Sequence, residues 1–165
     1  MKKILIIGLL LLLAFSCENK REKLHRDGEP DVLFVESEDH EMNAAIEKAK
    51  ETFNRDFQTA LESKNPQYSN FAIKQKFNTD NGGEHIWIGD IKFENGKYSG
   101  IVQNTPINPI GIQLGDNITI NPNEISDWMY YDKNIVKGAY TVKLLRKGMT
   151  DEEKKEMDAD GLIYE

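Results

Sequence analysis

The sequence predicts an α+β domain: a long N-terminal helix packed on an antiparallel sheet of about five strands, with a helical segment at the C-terminus. Three observations lead there. Residues 39–63 carry apolar side chains at helical spacing. From residue 68 to 131 the pattern changes toward alternation, broken by turn residues. Thr150 and Glu153 have the spacing of a helix cap.

In the first element Met42, Ile46, Ala49, Phe53, Phe57 and Leu61 recur three and four residues apart and form one apolar stripe. Ser37 or Asp39 can cap its start, and Asn65-Pro66 ends it. Phe71 to Phe77 then alternates as a strand. Asn78 to Gly83 is a turn cluster, Glu84 to Glu94 a second strand, and Asn95-Gly96 a hairpin turn leading into a third strand, Lys97 to Gln103. Asn104 to Gly115, with Pro106, Pro109 and Gly111, reads as a loop or broken edge. Ile118 to Ile120 and Ile125 to Tyr131 complete the expected strands, and Asp132-Lys133-Asn134 is a turn. Ala139 to Arg146 suits either helix or strand, with helix preferred. Thr150-Asp151-Glu152-Glu153 starts a short acidic helix running to about Ala159.

The N-terminus has a different character. Lys2 and Lys3 precede an apolar run of 12 residues, Ile4 to Phe15, followed by Ser16 and Cys17. A membrane-spanning helix needs about 20 apolar residues, so this run reads as the hydrophobic part of a secretory signal. The small Ser16 before the only cysteine matches cleavage and lipid attachment at Cys17. The expected organisation is therefore a lipoprotein signal peptide at 1–16, a polar tether at 17–36 and one domain at 37–165. Within the tether, Val32 to Val35 can form a first strand or a staple against the domain. A single thiol, used by lipid, leaves no disulfide for the fold. The expected location is the bacterial cell envelope, with the membrane reached through lipid on Cys17. One acyl chain holds a protein only marginally, so stable anchoring requires more than one.

The formal net charge is −7 over 165 residues, and loss of residues 1–16, which contain two lysines and no acid, takes it to −9. Nucleic acid is excluded as a partner, because binding phosphates requires clustered Lys and Arg.

One set of motifs comprises Glu84-His85-Ile86-Trp87-Ile88 with Asp90, Gly100 to Asn104 with Pro106, and Leu114-Gly115-Asp116. To these are added Ile125-Ser126-Asp127-Trp128-Met129, and Gly138-Ala139-Tyr140-Thr141 leading to Leu145-Arg146. Through these residues the chain, from about residue 39 to 147, resembles domain-of-unknown-function family 2314, also called YegJ-like. Ala139 departs from the pattern, which often has a second glycine there. The resemblance implies a small α+β domain, found free and as lipoproteins, and brings no activity with it.

The candidate binding patch is Glu84, His85, Trp87, Asp90, Asp127 and Trp128. Alternation along a strand sets His85 and Trp87 on one face and Glu84, Ile86 and Ile88 on the other. His85 reads either as a hydrogen-bonded structural residue or as a donor or base tuned by an acid from another strand, such as Asp127. Asp127 reads as a turn cap or as a partner of Arg146 or His85. Trp128 reads as buried area with one N–H to satisfy. Asn104, Pro106 and Leu114-Gly115-Asp116 read as architectural.

No catalytic residue, metal site or cofactor is predicted. His25 and His40 lie far from His85 in sequence, and neither a zinc-type spacing nor a glycine-rich phosphate loop is present. The sequence thus points to a non-enzymatic binding or interaction module, with another envelope protein as a possible partner. The alternative is a small hydrolase using His85 with Glu84, Asp90 or Asp127.

Overall fold

Asp39 starts the main helix in the computed structural model of the protein, which describes residues 22–26, 29–34, 39–80 and 82–165. The Asp39 carboxylate accepts from the Met42 N–H at 2.9 Å and is itself buried. The alternative cap, Ser37, lies outside the described residues, as do Cys17 and the whole signal-like segment. The helical run is α1 (His40–Thr52), a π-helical stretch (Phe53–Gln58) and α2 (Thr59–Ser63). The spacing of the stripe explains the interruption. From Ala49 onward the apolar residues come four apart, and a helix of 3.6 residues per turn would let them drift off the core. A stretch of i→i+5 bonding takes up the excess. Phe53 and Phe57 then stack at 5.1 Å, both buried. Lys64 closes the run in the left-handed conformation (φ 51°).

Ahead of the helix, β1 (Glu22–Arg26) and β2 (Glu29–Phe34) pair antiparallel as a separate two-stranded sheet. The composition of this stretch predicts a polar tether, with only residues 32–35 suited to a strand; local pairing is the structural addition.

The main sheet has seven strands instead of about five. They are β3 (Tyr68–Thr79), β4 (Gly82–Glu94), β5 (Lys97–Val102), β6 (Asn117–Thr119), β7 (Ile125–Asp132), β8 (Ile135–Gly138) and β9 (Ile163–Tyr164). Their order is β6-β5-β4-β3-β7-β8-β9, antiparallel throughout except for the parallel pair β8–β9. The sheet is therefore mixed. The two unpredicted strands are four and two residues long and sit on the β7 side of the sheet. Neither is long enough to show a period, and pairing with a neighbour defines both. The second end of the chain carries α3 (Tyr140–Lys147) and α4 (Asp151–Met157). The ambiguous 139–146 segment is helix. The Thr150–Glu153 capping box forms in both directions, and its helix ends two residues before Ala159.

Ala49, Phe53, Phe57 and Ala60 pack on Ile73, Ile88, Ile91, Tyr98, Ile120, Ile125, Trp128 and Tyr130 to form the core. Trp128 is its hub: 2% exposed, with its indole N–H donated to the Ala49 carbonyl at 2.9 Å. Gly138 allows the close approach beside it. A Cβ there would lie 2.3 Å from the Trp128 carbonyl oxygen and 2.4 Å from its ring, and φ is +69°. Gly138→Ala therefore combines a steric clash with a left-handed backbone, and should destabilise the fold by about 3 kcal/mol. Urea unfolding of the two proteins measures the difference.

Candidate functional site

Asp127 is fully buried in β7, beside the start of α3, which follows β8 in the chain. Its position is set by a bulge: β3 and β7 shift register between Lys74 and Gln75, placing Asp127 opposite Lys74. The residue before α3, Ala139, adopts the left-handed conformation and supplies no side-chain cap. Asp127 caps the helix instead, from 13 and 14 residues away in sequence. Oδ1 accepts from the Tyr140 N–H at 3.1 Å and the Trp128 N–H at 2.8 Å; Oδ2 accepts from the Thr141 N–H at 2.9 Å and from the Thr141 hydroxyl. The positive end of the helix adds to these charge-assisted bonds.

Lys74 extends the network. Its ammonium donates to Thr141 Oγ1 at 2.9 Å and lies 4.6 Å from the centre of the Trp87 ring. Thr141 thus accepts from Lys74 and donates to Asp127. Burial lowers the Lys74 pKa, and the Asp127 charge acts in the opposite direction.

The next residue toward the start of β7 belongs to a different contact. Ser126 is 2% exposed, and its Oγ lies 2.7 Å from His85 Nδ1 and 3.2 Å from the Lys74 carbonyl oxygen. The alternation in β4 holds as expected: Ile86 and Ile88 are buried at 0% exposure, while His85 and Trp87 point the other way. His85 lines a groove of about 230 Å³ with Asn43, Ile46, Glu47 and Lys50 of α1, Lys76 of β3, and Asn123 to Ser126. Burial, together with the ammonium groups of Lys74 and Lys76, lowers the His85 pKa to about 4. By surface area His85 is an exposed residue, with its Nδ1 side packed on Ser126.

The six candidate residues do not form one patch. Asp127 and Trp128 are internal. Glu84 holds the loop after β5, accepting from the Ile107 N–H at 2.6 Å, and from the Asn108 N–H and side-chain amide at 3.0 Å each. Asp90 is exposed at a bulge of β4 with φ 49°. Trp87 is half-buried; its backbone bonds to Gln103 and Asn104, so the loop covers this part of the β4 edge. Only His85 of the six lines the groove. Among the described residues no hydrogen bond joins His85 to Glu84, Asp90 or Asp127. Nor does Asp127 meet Arg146, which pairs with Asp158 at 2.7 Å and lies over Tyr164. The architectural reading of Leu114-Gly115-Asp116 holds: Val102 donates to the Asp116 carbonyl, and Gly115 to that of Val102.

Sequence reasoning missed Lys74, Thr141, Ser126 and Lys76. Lys74 offered one signal, a lysine flanked by Ile73 and Gln75 in a strand. The others are ordinary until the register is known. Among the described residues no group of three or more His, Cys, Asp or Glu side chains is placed to hold a metal. No helix among them is long and apolar enough to cross a membrane.

Residues 39–163 match the family described as "Uncharacterized protein conserved in bacteria (DUF2314)". The chain belongs to this family. It is 31% identical over 139 residues to a putative ankyrin repeat protein of Neisseria meningitidis serogroup B, covering 80% of this chain and 55% of that protein. It is 32% identical over 89 residues to the uncharacterized protein YegJ of Escherichia coli K12, covering 54% of this chain and 58% of that one. The matches thus span little more than half the length of these relatives. No solved structure matches.

Asp127→Ala leaves Lys74 without its counter-charge and the α3 N-terminus without a cap, and should cost about 3 kcal/mol in urea unfolding. For His85, the unfolded imidazole protonates below about pH 6.5, whereas the folded one resists protonation down to about 4. The unfolded state therefore binds more protons between these values, so stability falls as pH drops from 6.5 to 4 and this group has no effect above that window. Solvent screening at the exposed edge limits the loss to about 1 kcal/mol. Unfolding midpoints at pH 7 and 5 should differ less in His85→Gln than in the wild type.

Proposed function

We propose that this chain is a lipid-anchored protein of the bacterial cell envelope, and that its domain is a non-enzymatic module that binds another envelope protein. The commitment of Asp127 carries the binding reading. The one fully buried acid among the candidates is taken up by Tyr140, Thr141 and Trp128, and His85 turns to Ser126 instead. A hydrolase reading draws on the Ser126–His85 contact, but Ser126 is 2% exposed and closed to a substrate. The His85 groove is the accessible concave feature of the former patch. The anchor reading draws on Lys2, Lys3, the apolar run to Phe15 and the lone Cys17.

The test is crosslinking and affinity capture of the full-length protein from its native envelope. Wild type, Cys17→Ser, His85→Ala and Trp87→Ala are compared, with circular dichroism and unfolding midpoints confirming that each folds. Cys17→Ser should lose lipid labelling and leave the membrane fraction; retained labelling refutes the anchor. His85→Ala should lose a captured protein that the wild type retains. An unchanged set of captured proteins in the folded His85 variant rejects the groove as the binding site.

A further inference from the structure

The proton arrangement around Ser126 restricts what the groove can bind, an inference that rests on the binding-module reading. The Lys74 carbonyl can only accept a hydrogen bond, and Ser126 has one proton to give. Ser126 lies between that oxygen, at 3.2 Å, and His85 Nδ1, at 2.7 Å, and is 2% exposed. With a single serine proton, both contacts are hydrogen bonds in only one arrangement. Ser126 donates to the Lys74 carbonyl, and His85 donates Nδ1–H to Ser126. Nε2 is then left without a proton, on the far side of the ring from Ser126.

The surrounding charges select among ligands. Lys76 is the cross-strand partner of His85 and lines the same groove, and Lys74 lies beside it in the sheet. Both disfavour a proton on the imidazole, which keeps it neutral at ordinary pH. The same field disfavours an ammonium ligand at Nε2. An anion gains no donor from Nε2 and meets Glu47 and Glu124 on the walls, where Lys50 is already paired with Glu47 at 2.9 Å. A neutral amide suits both sides: its N–H is donated to Nε2, and its carbonyl accepts from Lys76. A groove of about 230 Å³ is below the usual range for cofactor-sized ligands and suits a short length of chain. We infer that His85 is held as the Nδ1–H tautomer and accepts, through Nε2, a backbone N–H from an extended peptide segment of a protein partner.

The experiment is nitrogen NMR of the full-length protein in detergent micelles, ¹⁵N-labelled at histidine, with His85→Gln identifying the resonances among the three histidines. His85 should show a protonated Nδ1 and a bare Nε2 at pH 7, and Ser126→Ala should shift it toward the opposite tautomer. Acetyl-trialanine N-methylamide, at up to about 10 mM to reach weak millimolar contacts, should move the Nε2 resonance. Putrescine and inorganic phosphate should not. A proton on Nε2 in the wild type overturns the inference. So does a shift with putrescine or phosphate but none with the peptide, or no shift with any of the three. If captured proteins depend on His85 while the peptide leaves Nε2 unmoved, the peptide assignment fails and the binding module stands. If the peptide moves Nε2 and nothing is captured, the site stands and the envelope partner fails.

Discussion

A carboxylate removed from water must recover its hydration from the protein, and the cost of failing to do so is several kcal/mol. Asp127 recovers it from the Trp128, Tyr140 and Thr141 N–H groups and the Thr141 hydroxyl. Three of these four donors belong to the start of α3, so the same bonds that stabilise the charge hold the helix against β7. The strand supplies the acid, and the helix supplies the donors that its own preceding residue leaves unsatisfied. Trp128, next in sequence, faces the opposite way and secures α1 through Ala49. Two adjacent residues of one strand thus fix two helices.

The aromatic core depends on that arrangement. Phe57 contacts Phe53, Phe71 and Trp128, and Trp128 in turn contacts Tyr130 and Tyr140. Rings from the helical run, β3, β7 and α3 meet in one continuous cluster. The π-helical stretch brings Phe53 and Phe57 into it without bending the apolar stripe away. Gly138 lets β8 pass close beside the indole before the chain turns into α3.

The groove is a consequence of the same bulge in β7. Inserting Ser126 between Ile125 and Asp127 gives the strand two successive polar residues with separate partners, His85 for one and α3 for the other. Lys74, across from the bulge, touches both groups: its carbonyl meets Ser126, and its ammonium meets Thr141. The electrostatics of His85 are therefore tied to the network that holds α3, although no direct bond joins His85 to Asp127 among the described residues.

Much of the fold was legible because local chemistry decides it. The apolar stripe from Met42 to Leu61 specified a helix on the core, Asn95-Gly96 specified a hairpin, and Thr150 with Glu153 specified a cap; each depends on residues a few positions apart. The alternation at 84–88 correctly separated His85 and Trp87 from Ile86 and Ile88. β8 and β9 were not legible, because strands of four and two residues exist only through neighbours that sequence spacing does not reveal. Nor was the grouping of the candidate site. Sequence determined which residues carry charge, rings and hydroxyls, and marked Cys17 and the family pattern. Only the tertiary structure decided that Asp127 serves Thr141 and Tyr140, that Glu84 holds a loop, and that His85 faces Ser126. Hydrogen-bond partners are fixed by strand register and by one bulge, which are properties of paired strands and of no single segment.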